Sequence, residues 1–166
     1  MSPYLLVPVL GVIALLQVTV APYVTLAGVK PDLMLGIVVS WSLLRGVREG
    51  VAWAFVGGLW LDLLSGGPFG ISALALMAVS LACAASELNI FRSHLLLPLI
   101  AVIVGTAVYG LVYLLLLQIL GYTVTWLDAL RRVMLPSMVF NALTLPFIYV
   151  PLGWLNRLTG REQMSW

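Results

Sequence analysis

The chain has 166 residues, 63% of them apolar and only 8% charged, against about 45–50% and about 25% in an average soluble domain. Its 8 basic and 6 acidic side chains cannot clothe a soluble surface, and the net charge of +2 is too small to suggest an electrostatic partner. A soluble enzyme and a nucleic-acid binder are excluded, and an all-α polytopic membrane protein is expected.

The charges leave uncharged runs at 1–29, 33–44, 50–61, 63–86, 95–127 and 133–156. Four of these are long enough alone to cross about 30 Å of hydrocarbon, which takes about 17–25 apolar residues. The reading is one integral membrane domain over 1–166, with about six transmembrane helices near 4–26, 33–44, 51–65, 71–86, 95–120 and 133–155. Pro22 is expected to kink or end the first span. No basic residue precedes that span, and Pro22 follows the only small-residue site, Thr19-Val20-Ala21, so it is expected to stay rather than be cleaved as a signal. In the turn that follows, Asp32 is placed to cap the second span. That span has 12 uncharged residues, about 18 Å of helix at 1.5 Å per residue. It is too short to cross alone, so Asp32 and Arg45 either snorkel to the two faces or are sheltered by neighbouring protein.

Arg45-Gly46-Val47-Arg48-Glu49-Gly50 reads as a tight charged turn before the third span, and Ser65-Gly66-Gly67-Pro68-Phe69-Gly70 as a second turn-back. The fourth span ends at a polar connection, Glu87 to His94. The fifth is closed by Gly121 and the threonines before Trp126. Trp126 to Arg132 reads as a short amphipathic helix along the outer interface, with Trp126 at headgroup depth and Arg131 and Arg132 in water. The last span carries Pro136, Pro146 and Pro151 and is expected to be bent or broken. Asn141 and Thr144 in it are expected to satisfy freed carbonyls. With the N-terminus inside, the cytoplasmic face holds Arg45, Arg48, Arg92, Arg157 and Arg161, against Lys30, Arg131 and Arg132 outside. This count favours both termini in the cytoplasm.

Asp62 is the most informative charge, since Leu63 and Leu64 follow it rather than a polar loop. A carboxylate at bilayer depth is by default a functional-site hypothesis. Stepping back by fours gives Gly58, Ala54 and Gly50, a small-residue face along which another helix can approach closely. Three roles stay open for Asp62: a cap on the Ser65–Gly70 turn, a structural partner within the bundle, or substrate or proton handling. Small residues also recur at fours in Ala78, Ala82 and Ser86, in Ala101 and Gly105, and in Thr106 and Gly110. Spacing does not say whether the helix packed there is internal or belongs to another protein. The lone Cys83 permits no intrachain disulfide and reads as a small core residue. His94, the only histidine, has no cluster of Cys, Asp or Glu beside it. No catalytic set, phosphate loop, metal site or cofactor site can be assembled.

Pro31-Asp32-Leu33, Leu44-Arg45-Gly46, Gly57-Gly58-Leu59-Trp60-Leu61-Asp62-Leu63-Leu64 and Gly67-Pro68-Phe69-Gly70, in that order and spacing, resemble the MreD family. That family is the integral membrane subunit of the bacterial rod-shape (elongation) machinery. The resemblance rests on residues 28–75; beyond them it is one of hydropathy. It implies a non-enzymatic scaffold in the bacterial inner membrane that binds MreC, whose extracytoplasmic domain acts on a synthase of RodA and a class B penicillin-binding protein. It also implies a link to MreB, and a six-helix bundle similar to the substrate-binding subunits of energy-coupling-factor transporters. The motif positions carried over are Pro31, Asp32, Gly58, Asp62 and Gly70, in structural or interface roles. Gly50, Ala54, Trp126, Arg131 and Arg132 join them as interface candidates from the residue reading. The competing reading is a vitamin-binding transporter subunit. It needs a polar pocket open to the outside, for which the outer half offers only Asp62, Ser65, Thr123, Thr125 and Asp128, and its first span has only Gly11 and Ala14 as small residues, three apart.

Overall fold

The computed structural model describes residues 3–25, 28–87 and 96–159, and every regular element among them is helical. In chain order these are α1 (Pro3–Thr19), a 3-10 turn (Ala21–Tyr23), α2 (Leu33–Arg45), α3 (Val47–Ser65), α4 (Ile71–Glu87), α5 (Leu96–Ile119), α6 (Trp126–Ala129), a π-helical turn (Leu130–Met134) and α7 (Leu135–Thr159). Pro22 sits in the 3-10 turn, where its missing N–H and fixed φ end α1. Long helices alternate in direction, so α1, α3 and α5 finish at the end of the bundle where α2, α4 and α7 begin. The connection Glu87–His94 is described only at Glu87. His94, Arg92 and Arg161 lie outside the described residues.

α2 is the centre of the bundle. All nine residues from Met34 to Ser42 are buried, and the helix touches α1, α3, α4, α5 and α7. A helix apolar all round and only 13 residues long is stable when protein surrounds it, because only a lipid-facing helix has to match bilayer thickness. The stretches long and apolar enough to cross a membrane are accordingly peripheral: Leu6–Tyr23, Leu96–Ile119 and Trp126–Leu158. They expose rows of large apolar side chains, such as Ile100, Val104, Leu111 and Leu115 on α5 and Val139, Leu143, Phe147 and Val150 on α7.

Both ends of α2 are sheltered by protein, which decides between the two alternatives for that span. Arg45 lies over the Trp41 ring, 5.3 Å from its centroid, and its Nε donates to the Asn156 side chain on α7. The ring of Trp41 stacks on that of Trp53 at 4.2 Å and donates from Nε1 to Glu49 at 3.1 Å. The charged turn expected over 45–50 is reduced to one residue. Gly46 takes φ 88°, open to glycine, and α3 starts at once, with Glu49 in its first turn facing the positive end of the helix dipole.

At the last span one further expectation is corrected and another is decided. The segment Trp126 to Arg132 is not a separate interfacial helix; it runs through the π-helical turn into α7. Pro136 has no N–H for the carbonyl four residues back, and the helix widens just before it, with the Leu135 N–H reaching the Leu130 carbonyl. Of the two alternatives for that span, a bend or a break, the break is excluded, since Pro146 and Pro151 lie inside continuous α7. α7 packs against α2 and α5, and its two prolines stand on the exposed side.

Small residues mark the crossings. Across α3, a Cβ added at Gly58 would overlap the Ala73 Cα of α4 and lie 2.6 Å from its nitrogen. At Gly50 it would strike the Oγ atoms of Ser42 on α2 and Ser80 on α4, which share a 2.9 Å hydrogen bond. Gly105 of α5 fits between Val39 and Val79. Gly58→Ala should therefore destabilise the bundle by about 1–3 kcal/mol, because backbone must move. Gly153→Ala on α7, with no atom within 4 Å of the new Cβ, should be neutral or stabilising. Thermal melting of the two variants in detergent checks the difference, and equal midpoints would mean that the α3–α4 seam is misplaced.

Candidate functional site

The polar chemistry gathers at the end of the bundle where α2, α4 and α7 begin. Each helix start leaves backbone N–H groups without intrahelical partners, and hydrocarbon offers no water to take them. At α4 they are met by a side chain from another helix. The Asp62 carboxylate, 4% exposed, accepts from the N–H of Gly70 (2.9 Å), Ser72 (3.0 Å) and Ala73 (3.3 Å). Gly70, at φ 95°, turns its N–H toward this carboxylate. Gly58, one turn earlier on α3, lets α4 come close enough for the bonds to form. Both carboxylate oxygens are engaged, so Asp62 is a helix cap within the bundle.

At α2 the cap is local but belongs to a larger network. Asp32 Oδ1 accepts from the Leu35 N–H at 3.0 Å and from Gln17 Nε2 at 2.9 Å. Gln17 Oε1 in turn accepts from the Met34 N–H at 2.7 Å, so the one α1 amide binds both the cap and the helix it caps. The Asp32 N–H donates to Asn141 Oδ1 of α7 at 2.9 Å. Asn141 Nδ2 donates to Thr106 Oγ1 of α5 at 3.2 Å, and that hydroxyl donates to the Val102 carbonyl at 2.7 Å. Four helices are thereby joined through Gln17, Asp32, Asn141 and Thr106. Asn141 does not serve carbonyls freed by proline, because its side chain is spent between helices. Thr144 donates to the carbonyls of Phe140 and Asn141, not to that of Ala142, the one Pro146 leaves without a donor.

Beside this network lies a cavity of about 350 Å³, within the range of ligand sites. Val18, Leu35, Leu61, Leu114, Val133 and Met134 supply its apolar wall. The hydroxyl-bearing residues Ser65, Ser72, Thr106, Tyr109, Tyr113 and Ser137 also line it, with Gln17, Asp32 and Asn141 on the network side. The Tyr109 and Tyr113 rings stack at 5.7 Å, one turn apart on α5. Lys30 and Ser65, both exposed, also line the cavity, so it reaches the surface at this end.

The sequence candidates fall into two groups. Gly50, Ala54, Gly58, Asp62 and Gly70 lie along or at the end of the α3–α4 seam, consumed by internal packing and capping. Pro31 and Asp32 line the cavity. Trp126, Arg131 and Arg132 stand exposed beside it, on the segment that contributes Ala129 and Val133 to its wall. The Trp126 Nε1 donates to Gln118 at 3.0 Å, and the Arg132–Asp128 pair at 3.7 Å is too exposed to contribute much. Reading the outer half as poor in polar groups missed Gln17, Ser72, Thr106, Tyr109, Tyr113, Ser137 and Asn141. A lone amide in an apolar span was the available signal, since such side chains bond across helices.

Asp62→Ala should destabilise the protein by at least about 2 kcal/mol, because three backbone donors lose their acceptor. Asp62→Asn, which keeps one acceptor oxygen, should fall between that variant and the parent. Melting midpoints in detergent check the order, and an Asp62→Ala protein as stable as the parent would refute the capping role.

The family model for the rod shape-determining protein MreD matches residues 1–158. No curated protein and no solved structure matches the chain. The match spans every helix described above, from the first residues of α1 to the last turn of α7. The chain belongs to the MreD family of rod shape-determining membrane proteins.

Proposed function

We propose that this protein is a non-enzymatic scaffold of the rod-shape machinery in the bacterial cytoplasmic membrane, and that it binds an MreC-like protein at its cavity. Both termini face the cytoplasm in this reading, since Arg45, Arg48 and Arg157 stand at one end of the bundle and Lys30, Arg131 and Arg132 at the cavity end. The cavity then opens on the extracytoplasmic side. Through MreC the scaffold would organise the RodA–penicillin-binding-protein synthase, with MreB at the opposite face.

The observation that carries the reading is the cavity itself. A partner whose working domain lies outside the membrane must pass its membrane-proximal segment across this surface. A hollow with an apolar wall and a row of hydroxyl-bearing residues suits a stretch of polypeptide, which offers both side chains to bury and backbone groups to bond. The exposed Trp126–Arg132 segment extends the same surface. Small-residue faces do not, because internal crossings already occupy them. The polar lining also restores what the vitamin-subunit reading lacked, though Gln17, Asp32, Asn141 and Thr106 are largely committed to one another.

Ser137→Trp tests the reading, because Ser137 lines the cavity and makes no bond that holds the network. The variant should melt like the parent and lose most of the MreC-like protein that co-purifies in mild detergent. Undiminished co-purification would place the partner elsewhere, and recovery of a transporter ATPase instead would favour the vitamin subunit.

A further inference from the structure

We infer that the occupant of the cavity presents a lysine or arginine side chain to Asp32. This rests on the reading of the cavity as a polypeptide docking site and names the chemistry that selects the segment.

The two carboxylates at this end of the bundle differ in what remains of them. Asp62 has both oxygens engaged by backbone donors. Asp32 spends only Oδ1, on the Leu35 N–H and the Gln17 amide, and among the described residues no hydrogen bond reaches Oδ2. No fully buried side-chain oxygen among the described residues lacks a partner. Oδ2 is therefore accessible, and Asp32 lines the cavity. Lys30 lines the same cavity and its positive charge acts on Asp32 from a distance, but among the described residues no ion pair within 4.0 Å joins the two.

An empty cavity leaves water to solvate that oxygen. A segment that fills the cavity removes the water, and a carboxylate stripped of water without a new donor is strongly destabilising. A purely apolar occupant would be opposed at this spot. A neutral amide would return one hydrogen bond. A guanidinium or ammonium group returns the bond and the opposite charge, and such charge-assisted bonds are about twice as strong as neutral ones. The apolar wall of Leu35, Leu61 and Val133 suits the methylene stem of a long basic side chain.

The test is a double-mutant cycle on this chain and an MreC-like protein from the same organism, both full length in detergent, read as a dissociation constant. Asp32→Asn keeps Oδ1 for the cap and removes the charge, so its melting midpoint should stay near that of the parent. Its affinity should fall about tenfold or more, the worth of one bond to a charged group. Among Lys→Gln and Arg→Gln variants of the partner's membrane-proximal segment, one should lose the same factor and lose nothing further against Asp32→Asn. Lys30→Gln, at another residue of the cavity lining, should weaken binding less than Asp32→Asn does, if at all; weakening as large or larger would make Lys30 the counter-ion and overturn the proposal. Parent-like binding by Asp32→Asn, with Ser137→Trp still blocking the complex, would overturn the basic contact and leave the docking site standing. Parent-like binding by both variants would remove the docking site as well.

Discussion

Backbone N–H groups at the start of a helix have no partner within it, and inside a membrane there is no water to replace one. This protein has to meet that demand twice at the same end of its bundle, where α2 and α4 both begin within surrounding protein. It does so with two aspartates used in different ways. Asp62 reaches from the end of α3 to three N–H groups at the start of α4. Asp32 caps its own helix, and Gln17 and Asn141 fix the cap to α1 and α7. Removing either acceptor would leave donors stranded in a medium that penalises them heavily.

The remaining architecture follows from placing α2 at the centre. A 13-residue helix cannot span a bilayer, but one enclosed on every side has no need to. Enclosure requires the surrounding helices to come close, and side chains give way at each crossing: Gly50 and Gly58 on α3, Gly36 on α2 against Ile148, Gly105 on α5. In lipid this close fit supplies the association energy that the hydrophobic effect supplies in water. The cavity is where the fit is relaxed. It lies between the capped helix starts and the widened turn at Leu130–Met134, whose Met134 packs against Gly110 of α5. A site able to receive a partner thus sits against the most heavily bonded part of the bundle, which keeps its walls in place.

Much of the helix layout was legible because each span is bounded by groups that cannot lie in hydrocarbon or cannot continue a helix. Expectations stayed open or erred where a local signal met a tertiary remedy. Pro146 and Pro151 can each bend or break a helix, and only the three-dimensional structure shows that α7 runs on through both. Arg48 and Glu49 read as loop, yet Gly46 alone makes the turn, and Glu49 folds back on Trp41 and Arg45. The network was invisible for another reason. Its members lie 15 and 109 residues apart for Gln17–Asp32 and Asp32–Asn141, and a lone amide in an apolar run shows that a partner exists without showing which.

The amino-acid sequence by itself determined the class of this protein and the number of its main helices, because charge and hydropathy act residue by residue. It also marked Asp62, Gly58 and Asp32 as exceptional, since a carboxylate or a bare backbone in an apolar run carries a penalty that only a specific use offsets. What those residues are used for was decided by the tertiary structure. Only there does the small face of α3 meet α4 within the same chain, which withdraws it from any partner. Only there do Asp32, the hydroxyl-bearing residues of α5 and the turn before α7 enclose one space. Contacts between helices distant in the chain are three-dimensional facts, and periodicity along one helix does not contain them.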